Sequence, residues 1–136
     1  MRSEGRDRGA AAVEFALVLL PLVLLVFGII VFGRAFQIQS SLSMAAREGV
    51  RVATLTPGGG TAAISKGLDQ AQATAQALGL QAAELEILSV GSSCTAAGQA
   101  ARIEVSTDFD MFGLAGFFTE DDFITLTGGA EMRCGG

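Results

Sequence analysis

The sequence predicts an α+β protein in which a long N-terminal transmembrane helix continues into a small domain made of a second helix and a three-stranded antiparallel sheet. Three observations carry this expectation. An almost unbroken apolar run fills residues 10–33, an apolar stripe at helical spacing prolongs it to about Thr54, and from Glu84 onward the apolar period shortens to two. The divisions that follow are a charged leader at 1–9, a membrane span at 10–33, a helix extension at 34–56 and a small domain at 57–136.

Ala10 to Gly33 is about 24 residues, or about 36 Å of helix, enough to cross a hydrocarbon core of about 30 Å with some tilt. The apolar core of a cleaved secretory signal is shorter, about 7 to 15 residues, and lacks acids. This run is longer and carries Glu14 near its start, so it reads as a retained anchor. An acid at the centre of a membrane helix costs about 2.5 to 3.5 kcal/mol, and Glu14, one turn from the boundary, costs less. On the residues alone, Glu14 reads as snorkelling to the headgroups. Pro21 removes one backbone donor in mid-span and is expected to kink the rod, which neighbouring helices can accommodate in lipid. Gly28 and Gly33 would allow another helix to approach closely.

The helix does not stop at the membrane surface. Val31, Ala35, Ile38, Leu42, Ala45, Gly49 and Val52 alternate four- and three-residue steps, while Gln37, Ser41, Arg47, Glu48 and Arg51 take other faces. Pro57-Gly58-Gly59-Gly60 ends this rod. Thr61 is the expected N-cap of a second helix whose stripe is Ile64, Leu68, Ala71, Ala75 and Leu78, with Gly79 as its C-cap.

Three strands come next. Leu85 and Ile87 alternate with Glu84 and Glu86; Ile103, Val105, Thr107 and Phe109 alternate with Arg102, Glu104, Ser106 and Asp108; Ile124, Leu126, Ala130 and Met132 alternate with Thr125, Thr127, Glu131 and Arg133. A sheet with one apolar face needs a cover, which the stripe between Ile38 and Val52 supplies. Gly128-Gly129 reads as a bulge in the third strand.

Composition narrows function. The 136 residues carry a formal charge of −5, with no His, Trp or Tyr. A chain this acidic is a poor nucleic-acid binder. Without histidine the usual general base and the commonest metal ligand are missing, and no acid pair has catalytic spacing, so no enzyme, cofactor or metal site is expected. The acids Asp108, Asp110, Glu120, Asp121 and Asp122 read as solvated charge.

The N-terminal third resembles a known family. Arg8-Gly9-Ala10-Ala11-Ala12-Val13-Glu14-Phe15 is similar to the processing site of class III signal peptides, where a prepilin peptidase cuts after the glycine and glutamate is the fifth mature residue. Together with Phe27-Gly28, Phe32-Gly33-Arg34-Ala35-Phe36, Ala45-Ala46-Arg47-Glu48-Gly49-Val50-Arg51 and the closing Gly129-Ala130-Glu131-Met132-Arg133, it resembles the TadE-like proteins of tight-adherence (Flp) pili. That resemblance implies a pilin-like fold and a minor pseudopilin, cut between Gly9 and Ala10, with Gly9, Ala10, Glu14 and Phe15 as the processing site. Glu14 would set helix registry by pairing with a neighbouring subunit's N-terminal ammonium, and Pro21, Gly28 and Gly33 would shape the assembly face. The implied partners are prepilin peptidase, other pilins and the assembly machinery, and membrane lipid. The implied place is the bacterial inner membrane, single-pass, with the C-terminal domain outside the cytoplasm. The alternative is an uncleaved single-span protein presenting a binding or adhesive domain.

With the domain outside, Cys94 and Cys134 are expected to form a disulfide, and a closed loop of about 40 residues would contribute about 4 kcal/mol from loop-closure entropy. The apolar connection Met111-Phe112-Gly113-Leu114-Ala115-Gly116-Phe117-Phe118 either closes the open end of the core or, through Phe112, Leu114, Phe117 and Phe118, forms a docking patch.

Overall fold

The structure, a computed structural model, describes residues 4–91, 94–96, 98–110 and 123–134, without the side chains of 4–8 and 83. It divides into two units, residues 1–34 and 35–136, which are described separately. Helix α1 spans Glu4–Leu55, 52 residues, and continues through Pro21. It begins ahead of the expected start at Ala10, so the leader from Glu4 shares its helical backbone. The last turn is closed by Thr56, whose N–H and hydroxyl both donate to the Val52 carbonyl at 3.1 and 2.7 Å.

In the second unit, α1 buries Leu42, Ala45, Ala46, Gly49, Val50 and Ala53, with Ile38 and Val52 half-buried. The expected stripe is therefore present and wider by Ala46, Val50 and Ala53. Helix α2, Gly60–Ala77, buries Ala63, Gly67, Ala71 and Ala75. Its N-cap is Gly59, not Thr61, which lies inside the helix. Leu78 is exposed, not on the buried face. At the C-terminus Gly79 has φ +91°, its N–H donates to the Gln76 carbonyl at 2.9 Å, and the Leu80 N–H donates to the Ala75 carbonyl at 3.0 Å. This is the Schellman arrangement, for which glycine pays no Cβ penalty.

The two helices meet through their glycines. A Cβ on Gly49 would lie 2.7 Å from the Gly67 carbonyl oxygen, and one on Gly67 would lie 2.7 Å from the Gly49 carbonyl oxygen. Gly49-x3-Ala53 thus faces Gly67-x3-Ala71 with the backbones in near contact, a spacing that places small residues on one helix face.

A 3₁₀ turn, Ala82–Glu84, leads into the sheet, whose strands are β1 (Leu85–Ser89), β2 (Ala100–Asp110) and β3 (Phe123–Arg133), antiparallel in the order β1-β2-β3. On β2, Ala101, Ile103, Val105, Thr107 and Phe109 are buried and the alternate residues face outward, as the two-residue period requires. Leu42, Val50, Ile103 and Val105 are the largest fully buried side chains, each contributing about 1.5 to 3 kcal/mol.

The expected bulge at Gly128-Gly129 is absent. Gly128 pairs with Val105 and Gly129 with Glu104 in unbroken register. The physical reason for Gly128 is instead proximity: a Cβ there would sit 2.5 Å from both the Leu42 carbonyl carbon and the Ser43 nitrogen. Beside this contact the Gln39 amide donates to the Thr127 carbonyl at 2.5 Å, which ties α1 to β3.

Candidate functional site

Three regions singled out in the sequence take different positions in the structure. The first is the N-terminal part of α1. Gly9, Ala10, Glu14 and Phe15 all lie within the continuous helix and all are exposed. So are the large apolar side chains on every side of it, including Leu17, Leu20, Leu24, Phe27 and Ile30. A helix that is apolar all round and mostly exposed suits a hydrocarbon surrounding, and this one is long and apolar enough to cross a membrane.

Around that helix the candidate assembly residues are not equivalent. Glu14, Pro21 and Gly28 recur every seven residues, so at about 100° per residue they fall within about 40° of one another. Gly33, five residues after Gly28, is about 140° away and serves another face. A Cβ at Gly28 or Gly33 would meet nothing within 4 Å, so both glycines offer open helix surface. The seven-residue recurrence was visible in the sequence and is the signal that separates Gly28 from Gly33.

The second region is the disulfide between Cys94 and Cys134, with Cα atoms 5.2 Å apart. It joins the β1–β2 connection to the end of β3. The same junction is held by the Cys134 N–H, which donates to the Gln99 carbonyl at 2.7 Å. Gln99 Oε1 accepts from the Thr95 N–H at 2.9 Å, the Thr95 hydroxyl at 3.2 Å and the Ala96 N–H at 3.2 Å, so one side chain orders the turn beside the bridge. Gln99 was not singled out by sequence reasoning, since a lone glutamine has no local signature.

The third is the apolar connection. Phe112, Leu114, Phe117 and Phe118 lie outside the described residues, as do Glu120, Asp121 and Asp122. Of the flanking acids, Asp108 accepts from the Thr125 hydroxyl at 2.8 Å, on the outward face of the sheet. Among the described residues no three histidines, cysteines or acids are grouped to hold a metal ion.

Residues 9–51 match the family model described as TadE-like protein. No curated protein and no solved structure matches the chain. The matched stretch starts at Gly9, takes in Glu14 and the whole apolar run, and ends in the buried part of α1. Over this segment, the apolar run and most of its helical extension, the chain is similar to TadE-like proteins.

Proposed function

We propose that this protein is a minor pseudopilin needed for assembly of tight-adherence (Flp, type IV-like) pili. In this reading a prepilin peptidase cuts after Gly9, the helix from Ala10 anchors the chain in the bacterial inner membrane, and residues 57–136 form an extracytoplasmic domain that makes assembly contacts rather than performing chemistry. The observation that carries it is the family match over 9–51, on a helix whose large apolar side chains are exposed from Val13 to Ile30. The Cys94–Cys134 bridge supports an oxidising compartment for the domain.

Glu14 takes the registry role. Once the Gly9–Ala10 bond is cut, Ala10 carries an ammonium group, and a carboxylate on a neighbouring helix would offset the desolvation of both charges in an apolar setting. Pro21 and Gly28, on the same side of α1 as Glu14, then belong to the face where that neighbour packs. An uncleaved anchor is the second reading, and the helical continuity of α1 across Gly9–Ala10 favours it.

The deciding experiment is the mass and N-terminal sequence of the protein recovered from membranes with and without a co-expressed prepilin peptidase. A peptidase-dependent terminus at Ala10 is the expected result. An intact Met1 or Arg2 terminus under both conditions would leave the plain anchored module.

A further inference from the structure

We infer that the leader turn of α1 must unwind before the peptidase can act, and that Gly5 is a positioning residue that keeps this unwinding easy; the inference rests on the processing reading above. Helix α1 begins by Glu4, so the Gly9–Ala10 peptide bond lies inside helical backbone. In such a helix the Ala10 N–H is directed to the Arg6 carbonyl and the Gly9 carbonyl accepts from the Val13 N–H. Hydrolysis adds water oxygen to the Gly9 carbonyl carbon and breaks the bond to the Ala10 nitrogen, leaving a Gly9 carboxylate and an Ala10 ammonium. While both groups are engaged in the ladder and wrapped by neighbouring turns, neither the carbonyl carbon nor the leaving nitrogen is open to a peptidase cleft. The ladder from Arg6 to Val13 has to open first.

The sequence is asymmetric about the bond. Before it stand Gly5 and Gly9, and after it Ala10-Ala11-Ala12. Alanine is the best helix former and glycine among the worst, the difference favouring helix about fivefold per residue, which corresponds to ~1 kcal/mol. The readily opened stretch therefore ends at the bond to be cut. Beyond it the helix holds, and the mature end emerges already helical. Gly9 adjoins the cut, so changing it would alter the peptidase's own contacts. Gly5 is four residues upstream and acts through the backbone.

The test uses the full chain in membranes with prepilin peptidase, comparing wild type, Gly5→Ser and Gly5→Ala. Pulse-labelled processing gives the rate, and amide hydrogen exchange at Ala10 to Val13 reports opening. The expected order is wild type, then Gly5→Ser, then Gly5→Ala slowest, by up to about fivefold since Gly5 lies in the first turn, with protection of those amides rising by the factor by which the rate falls. Equal processing rates while protection rises would overturn the inference, because opening would then not limit cutting. Altered rates with unchanged protection would also overturn it, since position 5 would then be read directly. If wild type yields no Ala10 terminus at all, the processing reading itself fails, and that outcome is distinct from either.

Discussion

Between Val13 and Phe32, α1 carries Val, Leu, Ile and Phe side chains that are mostly more than half exposed, whereas between Leu42 and Ala53 the same helix buries Leu42 and Val50 together with Ala45, Ala46, Gly49 and Ala53. Both stretches are apolar, yet they use side-chain size in opposite ways. Large side chains left exposed on a helix offer surface for hydrocarbon to solvate. Small ones on a covered helix let a second backbone come within a carbonyl's reach, as at Gly49 and Gly67, where dispersion contacts accumulate along the crossing. Hydrophobicity marks both stretches; volume tells which surroundings each is made for.

The comparison breaks most sharply at Gly128. Its added Cβ would collide with backbone atoms of Leu42 and Ser43, which cannot swing aside as a side chain end would. Gly128→Val is therefore expected to lift β3 from α1 and abolish cooperative unfolding of the domain, followed by denaturant titration of the full chain in detergent. The neighbouring Gly129→Ala is the control. There the added Cβ meets only the Glu104 side chain at 3.5 Å, on the outward face, and a change within about 0.5 kcal/mol is expected.

Next in size is the disulfide. It closes a separation of 40 residues, and replacing both Cys94 and Cys134 by serine is expected to cost about 4 kcal/mol by loop-closure entropy. The loss should appear in the denaturant midpoint of the domain and leave the membrane extraction behaviour of the span unchanged. An equal loss on adding reductant to wild type would assign the effect to the bond rather than to the serines.

The elements that were legible in the sequence are those whose signal lies in side chains. The long helix, the stripe from Ile38 to Val52, the three strands and the pairing of the only two cysteines all follow from periodicity or count. Glycine writes turns and helix stops into a sequence, as at Gly79, but it writes no tertiary contact into a hydropathy pattern. Gly128 looked like a bulge because its role is to let another element come close, a property of tertiary contact and not of its own strand. Thr61 reads as an N-cap because threonine caps helices well, but Gly58, Gly59 and Gly60 all take positive φ, and the chain turns into α2 two residues earlier. At the candidate site the residues could be placed, and the helical phase of Glu14 and Gly28 followed from counting. The part Glu14 plays depends on a neighbouring chain, and no intrachain pattern encodes that.

The smallest predicted effect is the most direct test of the comparison, since it changes the same residue type on both stretches of one helix. Leu42 is fully buried in the domain core, and Leu24 is 56% exposed on the span. Leu42→Ala removes side-chain volume from a packed site that includes Ala45, Ala46, Ile103 and Val105, and is expected to cost about 3 kcal/mol through lost transfer energy and the cavity left behind. Leu24→Ala trims a side chain that is already more than half exposed, so the domain's unfolding midpoint in detergent should not move by more than about 0.5 kcal/mol. Equal losses for the two would mean that exposure along α1 does not decide what a leucine contributes to the domain's stability, and the contrast between the two stretches would fail.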